Sequence, residues 1–289
     1  MVIQLIINGL AMGFIYALAA LGVVMLYNAL GIVNFAQGEF ATLGAFIAYS
    51  LIAEMGVPYP LGFIVTVLIA AAVGVLFERI VYRPLRHKHF LTVIVSTIGV
   101  MIFFREFERI VWKPIPRFFP DIFEGRLITI GNMVIVPQHM FIIGVALVLM
   151  VALYLFLNKT SVGAKMRATA QDQETASLMG IDVDKMIVLT FVISACLGAI
   201  PGILFAPIFF ITTDMGGTVG LAAFCASIIG GFGSVPGAIT GALLLGLVEV
   251  FAAAYISSVY KPAVAFALVI AFLLLRPEGI FGEKVSVKV

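Results

Sequence analysis

The first 38 residues, Met1 to Gly38, contain no Asp, Glu, Lys or Arg. As one α-helix rising 1.5 Å per residue that run would be ~57 Å long, nearly twice the ~30 Å hydrocarbon core of a bilayer. A stretch so apolar is at home in lipid but too long to cross once, so it must break. Polar and small residues gather at Asn28, Gly31, Asn34, Gln37 and Gly38, and the break is expected there. The run also exceeds a signal-peptide core and lacks a basic leader and an Ala-x-Ala cleavage site, so it is read as retained membrane helix. The rest of the chain agrees. Only 11% of its 289 residues are charged, against about 25% in a soluble domain, too few to cover a surface in water.

Apolar stretches then divide the chain. Spans are expected at about 3–27, 35–52, 60–77, 90–112, 140–157 and 186–210, and a last one at 263–275 ends on Arg276-Pro277. Two Gly-rich stretches, 221–232 and 238–254, are either two short helices or one helix and a re-entrant segment. The expected fold is therefore an all-α polytopic transmembrane protein forming one domain over 1–289. It has about eight or nine spans, one of them broken or re-entrant. Between them lie an external loop at 112–139, a cytoplasmic segment at 158–185 and a tail at 276–289.

Lys and Arg set the orientation. Eleven of the 17 fall in the loop at 79–90, the segment at 158–186 and the tail, and six fall elsewhere. The richer side is cytoplasmic by rule, which places the start of the chain outside, the tail inside, and favours an odd number of crossings. In the external loop, 127–130 and 133–136 are β-prone runs around Gly131-Asn132, the pattern of a two-residue hairpin. Such a hairpin either caps helix ends or meets a partner. Glycines four apart, Gly9 with Gly13 and Gly198 with Gly202, and the series Gly233, Gly237 and Gly241, are expected to be seams where helices approach closely in lipid.

Several function classes fall away. A net charge of +2 gives nucleic acid no purchase. Cys196 and Cys225 sit in apolar runs and read as small buried side chains. The three histidines show no metal-ligand spacing, and no paired carboxylates or activated nucleophile suggest catalysis. No G-x-x-x-x-G-K-[ST] phosphate loop occurs, so any energy from ATP must come from another chain.

The segment at 158–185 is more than a loop. Thr160 or Ser161 can cap one short helix and Asp172 a second. Gly180 stands where a left-handed residue closes a helix, and Asp182 can cap the next span. Two surface helices would present Ala168, Ala170 and Ala176 outward. Glu174-Thr175-Ala176, three residues and then Gly180 resemble the E-A-A-x-x-x-G loop of ATP-binding-cassette importer permeases. Gly163, Arg167-Ala168, Asp172, Glu174 and Gly180-Ile181, together with 31–39, 229–237 and 276–282, are similar to the branched-chain amino acid permeases of the LivH and LivM type. Thr175 departs from the Ala of the general motif, one small residue for another.

The resemblance implies an importer in which Gly163, Arg167, Ala168, Asp172, Glu174, Ala176 and Gly180 couple to an ATPase. It implies two cytoplasmic ATPase subunits, a second homologous permease, an external substrate-binding protein, and no cofactor in this chain. It places the protein in the cytoplasmic membrane of a bacterium or archaeon. Gly131, Asn132 and Asp214 are candidates to meet the binding protein, Asp214 alternatively capping the next helix. Polar groups inside a membrane are costly and often functional. Asn34, Gln37 and Glu39 beside the break, and Glu249 inside an apolar run, are therefore candidates for the translocation path. Alternatively, the first three bond helix ends at the cytoplasmic surface. Glu78 and Arg79 are read as interfacial. The implied cargo is an aliphatic amino acid. Urea, short amides or a sugar would suit the same machine, and a stand-alone channel or secondary carrier is the alternative of another class.

Overall fold

The computed structural model describes residues 2–86, 88–120, 122–123, 128–130 and 133–282, with the two strand segments described by backbone alone. Helix α1 (Val2–Leu30) is apolar on every side and lies almost wholly enclosed, as a helix without a polar face must. Its neighbours are α9 (Val183–Phe205), α10 (Met215–Gly230), α11 (Val235–Tyr255) and α6 (Pro137–Lys159). The closest approach is to α11. A Cβ on Gly13 would fall 2.8 Å from the Cα of Leu243, and one on Gly9 3.0 Å from the Cα of Leu247. The Gly9/Gly13 seam is thus backbone against backbone, with dispersion contacts in place of the hydrophobic drive that lipid withholds.

The uncharged run breaks within residues 31–34. Gly31 is left-handed, at φ +68°, and its N–H closes α1 on the Tyr27 carbonyl at 2.7 Å. A 3-10 turn at Phe35–Gln37 then leads into α2 (Glu39–Tyr49), which continues through a widened turn to Glu54. Helix α3 (Tyr59–Phe77) likewise runs on through a widened turn at Glu78–Tyr82 into a short last turn, α4 (Arg83–Leu85). Helix α5 (Phe90–Trp112) follows, and α12 (Lys261–Leu275) closes the bundle. Among the described residues, eight helices are long and apolar enough to span a bilayer, and α10 is a shorter apolar helix of 16 residues. The Gly-rich pair is therefore one short helix and one full span.

The ends of the helices sort into two groups. Asn28 donates to the Gly233 carbonyl at 2.8 Å, the Ile280 and Phe281 amides donate to Ile229 and Gly230, and Arg83 and Arg86 reach Asp184. These contacts gather the end of α1, the end of α4, the start of α9, the α10–α11 turn and the described part of the tail at one end. At the other end Arg117 and Ile211 exchange backbone hydrogen bonds of 2.9 Å, and Arg109 meets Asp214. Among the described residues, counting α10 as a crossing gives nine, an odd number, with the basic segments together at the first end.

Between α5 and α6, strands β1 (Ile128–Ile130) and β2 (Met133–Ile135) pair antiparallel, Ile128 opposite Ile135 and Ile130 opposite Met133. The expected turn residues Gly131 and Asn132 lie outside the described residues, as does the end of the tail from 283.

Candidate functional site

The break between α1 and α2 does not stay at the helix end. Leu30 is at the basic end of the bundle, yet Gln37 lies level with Gly22, about 12 Å back up α1 at 1.5 Å per residue. Gln37 Nε2 donates to the Ser194 carbonyl at 2.9 Å. The Ser194 hydroxyl lies 2.8 Å from the Gly22 carbonyl and 2.9 Å from Gln37 Oε1, one proton between two acceptors. Ser194 is the middle residue of α9. The chain thus climbs half-way back into the bundle before turning helical, and its freed backbone and amide groups find polar company there. Asn34 caps the 3-10 turn by accepting from the Ala36 amide at 3.1 Å. Asn34 is thus a helix-end partner, as one of the two expectations had it, whereas Gln37 bonds the middle of α9.

Glu39 opens α2. Its carboxylate is 1% exposed and accepts at Oε1 from Arg105 Nη2 of α5 at 2.8 Å. Two positive sources meet the buried charge, the guanidinium and the N-terminal dipole of α2. Gly38, just before it, crosses α10 backbone to backbone. A Cβ there would sit 2.7 Å from the Cα of Gly220. Gly216 and Gly217 complete this small-residue face of α10 opposite Glu39 and Arg105.

These parts enclose a cavity of about 170 Å³. Asn34, Gln37 and Glu39 supply its polar side. Val23 of α1, Met101 of α5, and Leu221 and Phe224 of α10 supply an apolar wall, with Gly216, Gly217 and Gly220 as its close floor. Three of the four path candidates are therefore brought together. Glu249 is elsewhere. It is buried and accepts from the Tyr16 hydroxyl of α1 at 2.8 Å, beside a separate hollow that Lys261 also lines. Asp214 is exposed, makes no side-chain cap, and pairs with Arg109 at 3.0 Å; its capping role is corrected. Glu78 is buried where α3 widens, and Arg79 beside it is exposed.

Sequence reasoning missed Arg105, Ser194, the glycines of α10 and Glu108. The signal for Arg105 was present, since a carboxylate entering an uncharged run requires a cation. Glu108, one turn beyond Arg105, is fully buried, and neither carboxylate oxygen meets a hydrogen-bond donor among the described residues.

The cytoplasmic-type segment forms α7 (Ser161–Gln171) and α8 (Gln173–Leu178). Thr160 accepts from the Gly163 amide at 3.0 Å, Asp172 from Glu174 and Thr175 at 2.9 and 3.1 Å, and Asp182 from Lys185 at 3.1 Å. Gly180, at φ +78°, closes α8. Its N–H bonds the Ser177 carbonyl, and that of Ile181 reaches back to Ala176, a Schellman closure. The Thr175 hydroxyl also donates to Asp172 at 2.5 Å. That bond and the two amides hold the Asp172 carboxyl below the usual carboxylate range.

The face this segment presents differs from the expectation. Ala176 is 3% exposed and turned inward, whereas Leu178 and Met179 stand out at 83% and 79%. Gly163 is buried against α6, a Cβ there falling 2.6 Å from the Cα of Leu157. Gly163 and Ala176 thus seat the segment against the bundle. Ala168 is half-buried, and Glu174 and Arg167 are exposed, Arg167 donating to Asn158 at 3.3 Å.

Residues 5–274 match the family described as branched-chain amino acid transport system, permease component. The chain belongs to that permease family. Two relatives of the family span almost its whole length. The high-affinity branched-chain amino acid transport system permease protein LivH of Salmonella typhimurium is 37% identical, over 97% of this chain and 96% of its own. BraD of Pseudomonas aeruginosa, described in the same terms, is 38% identical over the same shares. A more distant family relative, a probable LivH of Methanocaldococcus jannaschii, is 28% identical over 92% of this chain and 88% of its own. Among solved structures, PsaBC from Streptococcus pneumoniae in complex with Fab superposes with a TM-score of 0.50 at 13% identity, covering 95% of this chain and 92% of that one. That likeness is one of fold.

Proposed function

We propose that this chain is the membrane-spanning permease subunit of an ATP-binding-cassette importer for branched-chain and other aliphatic amino acids, in the cytoplasmic membrane of a bacterium or archaeon. The observation that carries the reading is the near full-length similarity to permeases named for branched-chain amino acid transport. The cavity supports it. A side chain of methyl and methylene groups needs an apolar wall, and Val23, Met101, Leu221 and Phe224 provide one. An ammonium and a carboxylate need weak polar company, which Asn34, Gln37 and the already paired Glu39 provide without a strong fixed charge to trap them.

The chain does no catalysis in this reading, and ATP is bound and hydrolysed by two separate cytoplasmic subunits. Segment α7–α8 docks on one of them through the exposed Leu178, Met179, Glu174 and Arg167. A second permease subunit completes the pathway, and an external binding protein delivers the solute near Asp214 and the 112–139 loop. ATP-driven closure of the partners moves α7–α8, and the bundle passes between two packed arrangements.

The deciding experiment is uptake into proteoliposomes holding this chain with the ATPase, second-permease and binding proteins encoded beside it. ATP-dependent accumulation of labelled leucine, and not of urea or a sugar, is the expected result. Uphill uptake by the chain alone, or accumulation of urea in place of leucine, overturns the reading.

A further inference from the structure

At the basic end of the bundle, a groove of about 560 Å³ opens between the widened end of α3 and the first turns of α9. Its rim is charged, with Arg79, Arg83 and Lys185 and the carboxylates of Asp182 and Asp184 lining it. Its floor is apolar, made by Leu189, Val192 and their neighbours on α9. The floor continues onto the outer face of α3, where Leu76 and Ile80 are 53% and 68% exposed, a surface suited to acyl chains.

The charges of the rim do not cancel. Asp184 holds Arg83 at 2.5 Å and also Arg86, and Asp182 holds Lys185 at 2.9 Å. Glu78 is buried behind them. Arg79 makes no ion pair among the described residues and is left over at the groove. Arg79 lies within the widened turn, and Arg83 and Arg86 follow it. The Arg83 amide bonds the Glu78 carbonyl, five residues back, and a helix widened by one residue redirects the side chains beyond it.

We infer that this groove is a binding site for one anionic phospholipid of the cytoplasmic leaflet, its phosphate on Arg79 and Lys185 and its acyl chains along α9 and the outer face of α3. Cations over an apolar floor at the inner membrane surface are the chemistry such a lipid recognises. An uncharged lipid satisfies only the floor, and a zwitterionic one brings its phosphate together with an ammonium that the surplus rim cation repels, so a lipid of net negative charge is favoured. The inference rests on the membrane-spanning fold and its orientation, and holds whatever the transported solute.

The test is native mass spectrometry of the full chain released from nanodiscs of phosphatidylcholine with and without phosphatidylglycerol, alongside R79A, R79A/K185A, L189W and, at the opposite end, K261A. Phosphatidylglycerol is expected to be retained over phosphatidylcholine. Each lost rim cation should weaken retention about fivefold, L189W should weaken it by filling the floor, and K261A should leave it unchanged. Circular dichroism confirms that each variant compared is folded. Equal retention of the two lipids, or R79A matching the parent chain, overturns the site. Displacement of the lipid by millimolar inorganic phosphate, with L189W silent, makes it a free-anion site and also overturns it. Expulsion of the lipid when the ATPase subunits assemble makes the groove a protein interface, and the lipid assignment falls with it.

Discussion

Arg105 of α5 donates to Glu39 of α2 at 2.8 Å, and the two ends of that bond are unequally placed: the carboxylate is 1% exposed and the guanidinium 29%. The asymmetry predicts an unequal response to substitution. R105Q leaves a buried charge with only the α2 dipole beside it, a loss of about 3–5 kcal/mol. E39Q leaves a cation that is already partly exposed, and should cost clearly less. The double variant should recover much of the R105Q loss. Thermal unfolding of the four forms in one detergent, read as a double-mutant cycle, checks this. Additive losses are the contrary result.

The crossing of Gly38 on Gly220 predicts that G38A forces α2 off α10. A methyl group 2.7 Å from a Cα has nowhere to go, and overpacking of this kind costs roughly 1–3 kcal/mol. Because the same residue borders the cavity, leucine uptake should fall with the melting temperature. G144A, where nothing lies within 4 Å of the new atom, should change neither. A silent G38A sinks the argument.

Helix α8 ends with Leu178 and Met179 exposed and Gly180 left-handed. L178D/M179D should abolish ATPase stimulation by substrate while the protein still inserts and binds lipid. G180V, which strains a left-handed position by about 1–2 kcal/mol, should act similarly, and G180N more mildly. Reconstituted ATPase activity with and without loaded binding protein is the readout. Normal coupling in L178D/M179D removes the docking face.

Asp172 predicts what pH does to this segment. Its hydrogen bonds with Thr175 and Glu174 depress its folded value below the unfolded one, about 3.9. The cap is therefore fully present above that unfolded value and is lost as pH falls through the folded one. Coupling should be flat in pH from about 5 to 8 as far as this residue is concerned. D172N, a neutral cap, should keep the coupling ratio across that range, and D172A should lower it at every pH. A step near neutrality in the parent chain that D172N removes would contradict the assignment.

What the sequence revealed depended on whether the determining contact was local. The break at 31–34 was legible because a run of 38 uncharged residues exceeds any single crossing, and the caps at Thr160, Asp172, Gly180 and Asp182 because each acts within about five residues. The depth to which the chain climbs afterwards was not legible. It is set by Ser194, which is far along the chain from Gln37 and ties it to Gly22. The pairing of Glu39 with Arg105 has the same character, since charge in lipid demands a partner without naming it. Ala176 was placed on the wrong side because a six-residue helix has no periodicity of its own. Its rotation is fixed by how Gly180 and Ile181 close it.

Gln173, the first residue of α8, donates from Nε2 to the Ala29 carbonyl at 2.9 Å. Two residues on from Ala29, Gly31 turns with open space around it, and the ascent to Asn34 and Gln37 begins. A tug on α8 from below thus has a short tether to the polar wall of the cavity, with a swivel placed between them. In the proposed importer, long helices need not bend for a push at the inner face to be felt at the solute.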